Sequence, residues 1–263
     1  MKYSLTANCP LPTADCQLNS SFAEMSYREH TPHPQLRSYI DAYWTVQTAA
    51  HDLPAPERIL PDGCVDIIFN LGTAVAVNPQ LTMATGGTYL VGTMTRFSAS
   101  MRQPATSLLG IRFKPGCFTA FYDLSLETIT DRIIPFNSGL ITGTTFDPDV
   151  LDKLLLDKIK TVPHSLLPVI ADLYHYKGQL TIDRLAKKHF IHNRQLERQF
   201  KQQTGISPKA FANLVRYRFA LQHIKEHRAG ASLQDIAFEH GYYDHAHLSN
   251  EIRKYTGLHP SGY

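Results

Sequence analysis

The chain is poor in cysteine, has a single tryptophan and holds no long apolar run. Its four cysteines (Cys9, Cys16, Cys64 and Cys117) form no CxxC pair and no His/Cys group at zinc spacing. Neither a disulfide framework nor a metal site is therefore expected, and the thiols read as reduced and mostly buried. No stretch of about eighteen consecutive apolar residues exists, which argues against a membrane-spanning helix. The opening MKYSLTANCPLPTADC lacks the charged-then-apolar build of a leader, so a cytoplasmic protein without a membrane partner is expected. No Ser/His/Asp or Cys/His arrangement is supported, and His30-Thr31-Pro32-His33 lacks a clear third ligand. The expectation is a protein that is not an enzyme and has no cofactor.

What is present is an ordinary folding composition. Hydrophobic residues make up 43% and charged residues 19%, which is enough apolar chain for one or two buried cores. The net charge of +3 conceals an asymmetry. Residues 164–263 hold 14 Lys and Arg against 8 Asp and Glu, whereas residues 1–163 hold 12 against 15. Ten of the 13 histidines also fall in the basic part. A basic region joined to a mildly acidic one fits a nucleic-acid binder coupled to something that is not one.

The basic part contains one small plan twice. Thr181–Gly205 reads as a helix, a turn and a second helix, with Ile182, Leu185 and Ala186 followed by Leu196 and Phe200 as the apolar positions. Ser232–Gly257 repeats it with Leu233, Ile236 and Ala237, then Leu248 and Ile252. Apolar residues at i, i+3 and i+4, with an outer face that is polar and basic, suit a helix-turn-helix whose second helix enters a DNA groove. Two units about fifty residues apart imply one chain that reaches two successive major-groove segments. Asp244 is placed as an N-cap, Gly205 and Gly257 as left-handed C-caps, and Ser207-Pro208 and His259-Pro260 as starts of the next helices.

The rest of the chain is of a different kind. Residues 1–25 are polar and irregular and read as an arm. In QLRSYIDAYW, Leu36, Ile40 and Trp44 recur at helical spacing, with the tryptophan in the core. From Ala55 to Phe113, short β-rich segments alternate with turn signals such as Pro61-Asp62-Gly63, Gly86-Gly87 and Pro115-Gly116, which points to a small barrel or sandwich. Asp147-Pro148 opens a helix whose Leu151, Leu154, Leu155 and Ile159 form one stripe, for packing onto the barrel or for a dimer contact. Thr161-Val162-Pro163 reads as a linker. The predicted architecture is α+β, with an arm over 1–25, a β-rich barrel-like domain over 26–160 and an all-α DNA-binding domain over 164–263.

The C-terminal residues resemble the DNA-binding domain of AraC/XylS-type bacterial transcription regulators. The likeness is carried by Arg194, Leu196, Arg198 and Phe200, then Gly205, Ser207 and Pro208, then Arg216, Arg218, Ala220 and Leu221 in the connecting helix. The second unit carries Ile236-Ala237, Gly241-Tyr242, Asp244, His247, Ser249, Gly257, Pro260 and Tyr263. Residues from Tyr27 to about Phe136 are similar to the N-terminal domain of one branch of these regulators. Two positions depart from the pattern: Asn250 stands where an Arg is usual, and Ile252 where a Phe is usual. The resemblance implies a regulator that binds double-stranded DNA, controlled by a small-molecule effector or by homodimerisation through the N-terminal domain, and that meets RNA polymerase if it is an activator. A cysteine alkyl-acceptor repair protein sharing the same DNA-binding domain is the enzymatic alternative, although the cysteine spacing does not fit the four-cysteine zinc site of such proteins.

Counting from Leu196 and Phe200, the outward positions of the first exit helix are Asn193, Arg194, Glu197, Arg198 and Lys201. Arg194 and Arg198, four apart, suit adjacent contacts to base edges. Glu197 either accepts from a cytosine amine or orients one of those arginines. In the second unit His245, Ala246, Ser249 and Asn250 face outward, with Arg253 and Lys254 placed for phosphate and His247 turned away as a structural hydrogen-bonder. Asn250 either pairs with adenine or is a passive surface residue, so this unit leans toward position and shape readout. Under the resemblance, Arg58, Arg96 and Arg112 are candidate anchors for a small organic anion, or else pair with Glu57, Asp62 or Asp66.

Overall fold

A computed structural model of the chain describes residues 26–78, 81–140, 147–160, 165–226 and 232–263. The expected arm over 1–25 and linker over 161–163 lie outside the described residues. The N-terminal half is built from β1 (Ser26–His30), β2 (Ile40–Gln47), β3 (Ala55–Ile59), β4 (Val65–Asn70), β5 (Val75–Asn78), β6 (Leu81–Met83), β7 (Thr88–Val91), β8 (Ser98–Arg102), β9 (Ser107–Phe113) and β10 (Ile133–Pro135). Six of these form an antiparallel sheet in the order β1-β2-β9-β4-β7-β10, while β3 pairs with β8 and β5 with β6. The α+β class is as expected. The large sheet is open rather than closed into a barrel, since β1 and β10 are its two edges.

Alternation explains how the sheet buries its core. In β4, Val65, Ile67 and Phe69 are buried while Asp66 and Ile68 are partly exposed, the period-two pattern of a strand with one face in the core. Ile111 and Phe113 of β9 and Tyr43 of β2 join them, and Phe118 and Phe121 close the cluster from a short 3₁₀ turn. Gly110 is required where it stands: an added Cβ would lie 1.9 Å from the indole of Trp44. That indole donates from Nε1 to Asp66 Oδ1 at 2.7 Å.

The helical spacing of Leu36, Ile40 and Trp44 does not yield a helix. Leu36 sits in a turn, with Tyr39 and Ile40 both donating to its carbonyl, and Ile40 and Trp44 lie in strand β2. A separation of four is even, so it puts two residues on one face of a strand as readily as of a helix. All three residues are buried, so the core assignment of Trp44 stands. Helix α1 (Pro148–Leu156) forms as read: Asp147 Oδ1 accepts from the backbone amides of Asp149 and Val150. Its Leu151 and Leu155 are buried in the core of the sheet, with Leu154 and Ile159 packed at the edge. Of the two readings of this stripe, the structure shows packing onto the β-rich half.

The C-terminal half consists of α2 (Leu167–His175), α3 (Ile182–Lys188), α4 (Asn193–Thr204), α5 (Pro208–Glu226), α6 (Leu233–Glu239) and α7 (His245–Thr256). One continuous core runs through it, with Leu185, Leu196 and Phe200 of the first unit, Phe211, Val215 and Tyr217 of α5, and Ile236, Leu248 and Ile252 of the second. Helix α5 is buried along much of its length because it packs against both units.

The two halves meet at defined points. The Asp62-Gly63 turn lies against α5, where Arg218 donates from Nη1 to the Asp62 carbonyl at 3.1 Å. At Gly63 (φ +84°) an added Cβ would lie 3.0 Å from the Phe211 ring. A 3₁₀ turn over Leu126–Ile129 packs on α4, and Thr130 Oγ1 donates to the Gly205 carbonyl at 2.7 Å. Phe97 covers Gly257, where a Cβ would fall 2.5 Å from its ring. The N-terminal half therefore touches the C-caps of both α4 and α7.

Candidate nucleic-acid interface

The two units share one build. Thr181 and Ser232 cap the first helices, accepting from the amides of Arg184 and Asp235. Leu185-Ala186 and Ile236-Ala237 are buried below them. His192 and Asp244 cap the second helices, the latter accepting from the His247 amide at 2.7 Å. Gly205 (φ +82°) and Gly257 (φ +72°) end them in the left-handed region. Thr204 and Thr256 each return a hydroxyl bond to the carbonyl four residues back.

The turns differ. The first helices begin at 182 and 233 and the second at 193 and 245, so the second unit has one additional turn residue. That region carries Tyr243, which is 85% exposed. The residue after the C-cap of the first helix adopts a positive φ in both units, Phe190 at +52° and Gly241 at +70°. Phe190 is 99% exposed, so no packing compensates its conformation.

On α4 the outward side chains divide into those with side-chain partners and those without. Arg194 and Arg198 are exposed on one face, and their guanidinium groups have no ion-pair partner among the described residues. Asn193 donates to Asp183 and thereby ties α4 to α3. Glu197 lies 3.7 Å from Lys201 and orients neither arginine. On α7, His245 is tied through Nδ1 to Gln234 Oε1 at 2.8 Å, and the Ser249 hydroxyl donates to the His245 carbonyl at 2.7 Å. Ala246, Asn250, Arg253 and Lys254 are exposed. His247 differs from its expected place: it is exposed, and its ring meets Tyr242 edge-on at 5.3 Å. With the helix offset of 52, Ala246 and Asn250 occupy the positions of Arg194 and Arg198. The face that holds two guanidinium groups in the first unit holds none at those positions in the second.

Residues outside the outward faces set the frame. Arg216 stacks over the Tyr242 ring at 4.5 Å and donates to the Gly241 carbonyl at 3.3 Å, holding the second turn against α5. Asp172 of α2 bonds Lys188 Nζ and His189 Nε2, each at 2.7 Å, and so pins the end of α3. Burial raises the pKa of this carboxyl group, but its bonds to Lys188 and His189 outweigh that and hold it below the usual carboxylate value. Sequence reading missed both anchors, because each joins residues far apart in the chain.

The three arginines expected as ligand anchors are not brought together. Arg112 is committed to Glu29 (3.2 Å), Asp66 (3.6 Å) and Asp62 (3.8 Å), so of its two readings the structure shows ion pairing and not an anion anchor. Burial holds the Asp66 carboxyl above its ordinary pKa despite this neighbour. Arg96 is exposed in the connection before β8. Arg58 alone of the three lines an open groove of about 740 Å³, together with Glu57, Ala76, Met101 and Gln103. Cys64 and Cys117 are buried, and burial pushes both thiols up, Cys117 to about 12. An alkyl acceptor requires the opposite shift.

This geometry defines a helix-turn-helix protein, and comparison with known proteins agrees. Residues 185–263 match a family described as a helix-turn-helix domain, and residues 28–135 match one described as a domain of unknown function, DUF6597. The HTH-type transcriptional activator RhaS of Escherichia coli O139:H28 is 35% identical over 80 residues, 30% of this chain and 28% of that protein. The chain thus matches well under a third of the length of such relatives. The structure of ToxT from Vibrio cholerae aligns with a TM-score of 0.46 at 9% identity, covering 90% of this chain and 97% of that one. A probable AraC family transcriptional regulator from Rhodopseudomonas palustris aligns with a TM-score of 0.33 at 24% identity, over 36% of this chain and 88% of that one. The C-terminal part of the chain is an AraC/XylS-type double helix-turn-helix DNA-binding domain. Among the described residues no helix is long and apolar enough to cross a membrane.

Proposed function

We propose that the protein is a sequence-specific regulator of transcription whose two units read successive major-groove segments of duplex DNA. The observation that carries this is the exposed Arg194–Arg198 pair on α4, set in a duplicated helix-turn-helix frame. Guanidinium groups four residues apart can each meet the O6 and N7 of guanine. Asn193 and His245 tie each second helix to the first through Asp183 and Gln234, while Glu197, Lys201 and Ser249 lie along the outer faces, with Lys201 also available to phosphate. Asn250 and Arg253 give the second unit a weaker, mainly backbone contact.

Control is proposed to act through the N-terminal half, because that half holds the C-caps of both reading helices. A small organic effector in the groove beside Arg58, or a second copy of the chain, would act by altering those contacts. If the protein activates transcription, RNA polymerase is a further partner. The test is selection of bound fragments from a random duplex pool by the full chain, repeated at several salt concentrations. A bipartite motif one helical turn apart, with affinity falling steeply as salt rises, is the expected result. Salt-insensitive binding, or no enriched motif, would overturn the reading.

A further inference from the structure

The end of α6 carries a group of side chains that DNA binding does not use. His240, its C-cap, is buried, and its Nε2 lies 3.1 Å from Nδ1 of His223 on α5. The Glu239 carboxylate lies 3.5 Å from the same Nδ1. The three ligand atoms fall within 4.8 Å of one another. A tetrahedral ion with metal–nitrogen bonds of about 2.0–2.1 Å sets its ligand atoms about 3.3–3.4 Å apart, and the two separations around His223 bracket that value.

The duplicated architecture shows what is unusual here. His189 occupies the equivalent cap of α3, and its partner is the Asp172 carboxylate, which suits an imidazole N–H. At His240 the partner is another imidazole. Nδ1 of His240 is buried with no hydrogen-bond partner, so no second bond locks its tautomer and Nε2 can present a lone pair. A neutral imidazole is the form that ligates a metal. The half-exposed Glu239 leaves one side open for water.

We propose that His223, His240 and Glu239 bind a divalent transition-metal ion, zinc by ligand type, with water as fourth ligand. Two imidazoles and a carboxylate are a zinc donor set. The ion would brace the C-terminal end of the connecting helix against the second helix-turn-helix unit. The first unit has the Asp172 bridge at the equivalent place instead.

The full chain, stripped with a chelator and passed over a desalting column, would be titrated with zinc chloride against a chromophoric competitor. One zinc per chain is expected, with hydrogen exchange in α6 slowed on loading. Glu239→Gln and His223→Gln should each weaken binding by about tenfold or more. Glu239 is exposed, so its variant folds even where a histidine variant does not, which keeps the test decisive. X-ray absorption of the loaded chain should show nitrogen and oxygen donors without sulfur. Absence of stoichiometric zinc, or equal binding by the wild type and Glu239→Gln, would overturn the proposal.

Discussion

The first and second helix-turn-helix units are the same object built with different surfaces. Their caps, buried pairs and terminal glycines coincide, yet the first exposes Arg194 and Arg198 where the second has Ala246 and Asn250. What folding requires is present in both copies, and the outward residues proposed to read DNA differ between them. Packing constraints act on the inward face alone, so the outward faces are free to specialise. The contrast thus lies in the outward side chains and in one additional turn residue, on a shared set of helices and caps.

The comparison can be broken first at the core. Phe200 and Ile252 are fully buried at equivalent positions. Phe200→Ala should destabilise by about 3–5 kcal/mol and Ile252→Ala by about 2–5 kcal/mol, measured by urea denaturation. A loss under 1 kcal/mol at either site would show that the unit's helices do not depend on that contact. The surface comes next. Arg198→Ala should cost about 1–3 kcal/mol at the selected site and relax preference at one base, while Asn250→Ala should cost under about 1 kcal/mol. Equal losses on specific and random duplexes for Arg198→Ala would reduce it to a phosphate contact.

The turns give a smaller contrast. Phe190→Gly should stabilise the chain by roughly 1 kcal/mol, because it relieves a left-handed residue, and Gly241→Ala should destabilise it by a similar amount. Thermal unfolding of both variants would show opposite shifts. The last contrast concerns Asp172, whose carboxyl pKa lies below its unfolded value. Its stabilisation is present in full above the unfolded carboxylate pKa and is lost as pH falls through the lowered folded value. Asp172→Asn should therefore cost on the order of 1 kcal/mol at neutral pH and nothing once the pH is below the lowered folded value. A pH-independent deficit would assign the bridge a purely steric role.

How much of this was legible in the sequence follows from the range of each interaction. The duplicated helices, their caps and their buried residues were readable because capping and i, i+4 packing are local. The strand containing Trp44 was not, since Leu36, Ile40 and Trp44 satisfy either period. Arg112 could not be distinguished from a ligand anchor, because Glu29, Asp62 and Asp66 reach it only through strand pairing and a folded turn. The His223–His240 contact was invisible for the same reason: its members lie on different helices, and neither belongs to a local motif. His247 was misplaced because helical phase alone set its direction, whereas the exposed end of α7 leaves its ring outside against Tyr242.

Thr130 and Phe97 rest on the C-caps of α4 and α7, at the opposite ends from Arg194 and Ala246. A helix of 12 residues is about 18 Å long, so a tilt of about 5° applied at the cap displaces the far end by roughly 1.5 Å. Hydrogen bonds to base edges tolerate only a few tenths of an ångström. The arrangement is mechanically a pair of levers worked from their short ends. Under the proposed function, a change too small to alter the fold of the N-terminal half would set both helices in or out of register with the groove.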